Sequence, residues 1–291
     1  MPSRSRDRVL AYARRHPQEA SYLTARELGE RCGVSESTVI RAVQAAGFSG
    51  YPDFQRYVRR TLLPRATTVE RFAASSGDPL DRAFARDIEN LRDTWRGIPP
   101  SVFWRAARLL AHAERVWVLG LRMSHATAVV LELGLSFLGI NARLLAPRTG
   151  DVWDQIARLE PDDVLTVVSF PRYTRIAVEG TGLARQRGVT VVAITDSHES
   201  PLARHADVVL TAAYGIDGYV ESFTASISLA QALLLAVGQL RGEAGLKALQ
   251  AREELWALQN VYWIPAGGNG PGAEETAPPG ETGTGGTPWN R

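Results

Sequence analysis

From Arg115 onward, short apolar runs rich in β-branched residues alternate with amphipathic stretches, and few folds accept that alternation. The runs are Val116 to Leu119, Ala142 to Leu145, Val164 to Val168, Val189 to Ile194 and Val208 to Leu210. Each is apolar on both sides, as a parallel strand covered by helices on each face must be. Between and after them lie helical stretches at Ser124 to Leu138, Val152 to Leu159, Arg175 to Arg187 and the longer Phe223 to Leu240. The alternation predicts an α/β, doubly wound parallel sheet, in which ligands bind beyond the carboxyl ends of the strands.

The N-terminal part has a different period. Ser5 to His16 reads as an amphipathic helix that ends before Pro17, because a following proline disfavours helical backbone. Thr24 to Phe48 then divides into a helix (Ala25 to Arg31), a break at Cys32-Gly33-Val34 and a second helix (Glu36 to Ala46). Thr24 and Ser35 are placed as N-caps, and Gly33 suits a tight interhelical turn. Leu28, Cys32, Val34, Val39 and Val43 supply a shared apolar seam. A further helix, Asp53 to Leu63, turns Phe54, Tyr57 and Val58 inward and Arg56, Arg59 and Arg60 outward, and Pro64 ends it.

Two amphipathic helices around a glycine are common in helical domains, so charge has to decide their role. Residues 1–75 hold thirteen Arg against seven acids, a net +6, while the remainder carries −4. A near-neutral chain thus contains a basic N-terminal module, the electrostatic footprint of a nucleic-acid binder. The candidate DNA contacts are Thr24, Ser35, Glu36, Ser37, Thr38, Arg41 and Gln44, side chains of the types that reach base edges and phosphates.

The predicted organisation is a helix-turn-helix domain over 1–78, a connecting helix over 79–105, an α/β domain over 106–243, a helical segment over 244–264 and a disordered tail over 265–291. The connecting helix carries Leu80, Phe84, Ile88, Leu91 and Trp95 at helical spacing, a stripe suited either to a partner subunit or to the chain's own α/β domain. Ala74 to Pro79 reads as a linker, and the tail is rich in Gly, Pro and Thr. The single cysteine excludes a disulfide framework, and the five histidines show no metal-ligand spacing. With neither an export signal nor an apolar run of spanning length, the expected location is the cytoplasm.

Three strand-end loops carry the chemistry of the second half. They are Gly120-Leu121-Arg122-Met123-Ser124, Ser169-Phe170-Pro171-Arg172-Tyr173-Thr174-Arg175 and Thr195 to Ala203. Hydroxyls and arginines at helix N-termini suit an anion, which free N–H groups and the helix dipole already favour. Each loop alone reads sooner as an N-cap with arginines paired to surface acids; three at one sheet edge reverse that in favour of the anion. The candidate ligand contacts are Gly120, Arg122, Ser124, Ser169, Arg172, Thr174, Arg175 and Glu221, the last expected at the start of the final long helix.

With both halves in hand, the chain resembles the RpiR-type bacterial transcriptional regulators, which join a helix-turn-helix domain to a SIS (sugar isomerase) domain. The resemblance covers roughly residues 5–242 and rests on LTARELGERCGVSESTVIRAVQAAGFSGYPDFQRYV, VVSFPRYTR and VVAITDSHESPLARHADVVL. It implies that the SIS domain binds a phosphorylated sugar or related metabolite and thereby alters affinity for a double-stranded operator, in a homodimer or homotetramer. Ser124, Ser169 and Thr174 match the family's phosphate-loop positions. Two departures stand out: Pro171-Arg172 replaces a serine and glycine of S-x-S-G-x-T, and Arg122 stands where a second glycine is usual. They keep an anion as the ligand and leave open a plain carboxylate metabolite. Two other functions are weighed. An aldose–ketose isomerase needs a base, for which Glu221, His125 and His198 are available, but has no use for a basic helical module. A constitutive DNA-binding protein would have lost ligand response. The regulator is preferred, with no catalytic residue, cofactor or metal.

Overall fold

The computed structural model describes residues 2–62, 67–73, 78–145 and 151–263. Pro64, most of the Ala74 to Pro79 linker, the 265–291 tail and the side chains of Arg59 and Arg60 lie outside the described residues.

The N-terminal module is a cluster of short helices whose ends are set by local chemistry. α1 (Pro2–Arg15) stops before Pro17, yet that proline also starts α2 (Pro17–Tyr22), a helix the sequence reading did not foresee. Proline at a first helical position lacks only an N–H that would be unpaired anyway. α3 (Ala25–Cys32) opens with a capping box: the Glu27 N–H donates to Thr24 Oγ1 at 3.2 Å and the Thr24 N–H donates to Glu27 Oε2 at 2.7 Å. Gly33 closes it in the left-handed region, φ 62°. α4 (Glu36–Ala45) follows, then α5 (Tyr51–Tyr57), which continues as a π turn over Val58–Leu62. Val9, Leu28, Cys32, Val39, Val43, Phe54 and Val58 form the buried seam. Tyr57 stays more exposed than expected, with its ring against Phe48.

Residues 79–105 do not form one connecting helix. α7 (Pro79–Gly97) ends at Ile98, and α8 (Pro100–His112) starts anew behind Pro99. α8 buries Ala106, Ala107, Leu110 and Ala111 against the sheet and belongs to its core. α7 is inverted relative to the usual surface helix. Its polar residues Arg82, Asp87, Asn90 and Thr94 face its own domain, while Leu80 (65% exposed), Phe84 (65%) and Trp95 (80%) point outward.

The sheet is five parallel strands, β1 (Arg115–Gly120), β2 (Asn141–Leu145), β3 (Asp163–Val168), β4 (Thr190–Thr195) and β5 (Val208–Thr211), in the order β2-β1-β3-β4-β5. All five correspond to the apolar runs in the sequence, to within a residue or two at the ends. Alternate residues serve opposite faces. Val116, Val118, Val164 and Ile194 meet α8, α9 (His125–Phe137) and α12 (Thr224–Leu258), whereas Leu119, Leu165, Val167 and Val191 meet α10 (Val152–Ile156) and α11 (Arg175–Gln186). α12 is interrupted at Gly242, whose backbone is non-helical. At the sheet's amino edge the buried Asp163 accepts from Arg115 Nε (2.7 Å), Trp117 Nε1 (3.0 Å) and the Glu160 N–H (2.8 Å).

A two-stranded hairpin, β6 (Gly215–Asp217) and β7 (Val220–Ser222), precedes α12. Its two-residue loop begins with Gly218 at φ 58°, the requirement of a tight hairpin turn. Glu221 therefore sits on a strand and not at the start of the last helix, which begins three residues later at Thr224.

Candidate functional sites

The exposed face of α4 carries Glu36, Ser37, Arg41 and Gln44, with Ser35 exposed just before it and Thr38 half-buried. Val39, Ala42 and Val43 on the other side fix the helix to the core. Ser35 occupies the N-cap position but makes no capping bond; its Oγ lies 2.8 Å from Thr38 Oγ1 and 3.1 Å from Ser37 Oγ. The three hydroxyls thus form one exposed cluster at the helix start. Arg41 Nε donates to the Ser37 carbonyl at 3.2 Å, and among the described residues its guanidinium joins no ion pair. Thr24 stands apart: its hydroxyl is engaged with Glu27, whose carboxyl is held below its ordinary value by the Thr24 N–H and then by that hydroxyl. Arg26 and Arg31 are paired with Glu30 and Glu19.

The second site is a cleft of about 550 Å³ at the carboxyl edge of the sheet. The β1 loop gives it Leu121, Arg122, Met123 and Ser124, and the β3 loop gives it the run from Ser169 to Thr174. Tyr219 and Glu221 of the hairpin form another side. Ser124 and Ser169 are buried. Thr174 caps α11, accepting from the Ala177 N–H at 3.4 Å. Arg122 has φ 55°, left-handed backbone that normally asks for glycine, so the loop keeps the glycine conformation while presenting a guanidinium. Gly120 does not line the cleft; a Cβ there would lie 2.6 Å from the Ser124 carbonyl oxygen, so its bareness lets the loop fold back. Arg175 is also outside, largely exposed and paired with Glu179 at 2.7 Å. The Thr195 to Ala203 loop stays away from this cleft; its Asp196 accepts from Tyr173, so it buttresses the β3 loop. Of the three candidate bases, Glu221 alone lines the cleft.

One wall was not foreseen. α6 (Thr68–Ala73) contributes Thr68 to the cleft and rests on the hairpin tip, where the Phe72 and Tyr219 rings are 5.8 Å apart. Nothing in its sequence, TVERFA, marks it as part of a site in a domain that begins dozens of residues later.

The family model for the helix-turn-helix domain of the rpiR family matches residues 3–63, and that for the SIS domain matches residues 109–236. The HTH-type transcriptional regulator HexR of Pseudomonas aeruginosa is 30% identical over 199 residues, 67% of this chain and 69% of that protein. The chain belongs to the RpiR family of transcriptional regulators. The sugar isomerase domain of an RpiR transcription factor from Sphaerobacter thermophilus superposes on it with a TM-score of 0.58 at 34% identity, covering 61% of this chain and 99% of that one. NanR of Vibrio vulnificus, solved in complex with ManNAc-6P, shares the fold over 88% of this chain and 93% of its own, with a TM-score of 0.59 at 21% identity. In this RpiR-family protein the described residues include no helix long and apolar enough to cross a membrane and no group of three or more His, Cys, Asp or Glu placed to hold a metal.

Proposed function

We propose that this RpiR-family protein is a ligand-responsive regulator whose SIS cleft takes a phosphorylated sugar or related anionic metabolite. It reads operator DNA in the cytoplasm through α4, as a homodimer or homotetramer. The observation that carries the effector reading is the meeting of two strand-end loops in one cleft, with two buried serines, two arginines and the capped start of α11. Charge-assisted bonds from guanidinium groups and free N–H groups at a helix start are what a phosphate or carboxylate needs. The ManNAc-6P held by NanR makes N-acetylmannosamine 6-phosphate a rational first probe. Self-association is supported by the outward apolar stripe of α7. It runs beside a second, apolar recess lined by Ile98, Phe103, Trp104 and Leu229, and a second copy of the same stripe is its natural cover.

Calorimetric titration with N-acetylmannosamine 6-phosphate, glucose 6-phosphate and the unphosphorylated sugars tests the cleft. Binding of a phosphate ester that is recovered unchanged supports a sensor; conversion of the ester would support the isomerase reading, with Glu221 as base. Genomic DNA selection tests α4. Arg41→Ala is expected to lose about 1–3 kcal/mol on the preferred site if Arg41 contacts a base, and an equal loss on all sequences would make it a phosphate contact.

A further inference from the structure

The segment that joins the two domains is itself built into the cleft. Thr68 Oγ1 accepts from two guanidinium groups, Arg71 Nη2 at 3.3 Å on its own helix and Arg172 Nη2 at 3.0 Å from the β3 loop. Two cations therefore converge on one neutral oxygen at the rim of a cleft. Arg71 is 1% exposed and donates Nε to the Gly218 carbonyl at 3.1 Å, pinning α6 to the hairpin tip. Burial, and then the charge of Arg172, push the Arg71 guanidinium down, and Tyr214 and then Glu221 offset part of this. Such a like-charge approach is relieved by an anion placed beside it.

The hairpin is tied to the rest of the connection as well. Arg82 of α7 binds Asp217 through Nε (2.9 Å) and Nη2 (3.1 Å), and Asp87 accepts from Ser222 Oγ and Thr224 Oγ1, each at 2.6 Å. α6 and α7 thus grip the same two short strands that carry Tyr219 and Glu221 into the cleft. Leu62, the last residue of the DNA-binding module's π turn, lies only a few residues before Thr68.

We propose that Thr68 is an effector-binding residue. The anionic group of the effector is held between the Thr68 hydroxyl and the Arg172 guanidinium, with Arg71 as the positioning residue behind them. Occupancy then holds the connection to the DNA-binding module more firmly on the hairpin, without a relay through the sheet. This rests on the reading of the cleft as an anion site, and the two are separable by experiment.

Hydrogen exchange on the full chain, with and without inorganic phosphate as the probe, separates them. Phosphate is expected to slow exchange at amides 169–175 and also at 68–73. In Thr68→Val, the 169–175 protection persists at about tenfold weaker phosphate affinity, the share of one charge-assisted hydrogen bond, and the 68–73 response disappears. Arg175→Ala, outside the cleft, behaves as wild type. Protection confined to 169–175 in the wild type, or an unaltered response in Thr68→Val, overturns the role of Thr68 and leaves the anion site standing. Phosphate that protects neither segment removes the anion site and this inference together.

Discussion

Replacing Gly29 by alanine sets two effects of known size against each other. In the interior of an exposed helix alanine is favoured over glycine by about 1 kcal/mol. Here, however, the added Cβ would lie 2.6 Å from the Val34 carbonyl oxygen, 3.3 Å from Ser35 C and 3.4 Å from Glu36 N. All three are backbone atoms of the turn into α4, and the turn is held down by the Val34 N–H donating to the Gly29 carbonyl at 2.8 Å. No rotamer change relieves the contact; the backbone must retreat by about 0.8 Å to reach ordinary separation. Overpacking of this kind costs about 1–3 kcal/mol, so the net expectation is a loss of about 0–2 kcal/mol once the propensity gain is subtracted. The displacement falls at Ser35 and Glu36, where α4 begins. Hydrogen bonds to DNA tolerate only a few tenths of an ångström, so affinity for the preferred site should drop about tenfold or more, the scale of one lost base contact. Gly97→Ala is the control: nothing lies within 4 Å of its Cβ and its φ is not in the left-handed region, so it should gain about 0.4–1 kcal/mol. Exchange at α3 and α4 amides in urea, with DNA-binding titrations beside it, reads both quantities. A Gly29→Ala protein as stable as wild type with undiminished DNA affinity would refute the reasoning.

Burial alone would raise the Asp87 carboxyl, but hydrogen bonds from Ser222 and Thr224 and the charge of Arg86 outweigh it, and it ends below the usual carboxylate value. A depressed folded-state value gives stabilisation that is full above about pH 4 and is lost as pH falls through the folded value. Protection of the 215–222 amides, measured against unstructured peptide at the same pH, should therefore fall in acid, and Asp87→Asn should abolish that pH step. Asp163→Ala strands Trp117 Nε1 and the Glu160 N–H and leaves Arg115 only its Glu160 partner, and should destabilise the sheet by about 1–3 kcal/mol for each stranded donor in chemical denaturation. Phe84→Asp with Trp95→Glu places charges on the outward face of α7. Sedimentation should then show smaller species than wild type, and an unchanged assembly would exclude that face from the contact.

The sheet was legible because β1, β3 and β4 are buried on both faces and so read as near-continuous apolar runs, whereas the edge strand β2, exposed at Asn141 and Arg143, was marked only by Ala142, Leu144 and Leu145. The first helix pair was legible because Thr24 and Gly33 mark its ends. The hairpin was missed since three-residue strands leave no periodicity, and its one local mark is Gly218, the first residue of the two-residue loop. α8 was merged in part with α7 because the expected connecting helix was carried to residue 105 across Ile98-Pro99-Pro100, where the prolines restart the helix. The orientation of α7 could not follow from spacing alone: its polar face finds specific partners in Asp217, Ser222 and Thr224, more than a hundred residues away. The cleft loops followed from the rule for open parallel sheets, whereas Arg175 and Thr68 were decided by contacts. The i+4 glutamate captures the first, and the second arrives from outside the α/β domain.

The grip of α6 and α7 on the hairpin also fixes where this architecture accepts recombination. A chimera that grafts a foreign DNA-binding module at residue 79 or 100 would discard Arg71 and Thr68, or sever Arg82 and Asp87 from the strands they hold. A splice between residues 62 and 67 moves the capped helix pair whole and leaves every one of those bonds with the sensor. Reporters built from this scaffold should keep their response only at that splice, with the connection inherited as part of the sensing half.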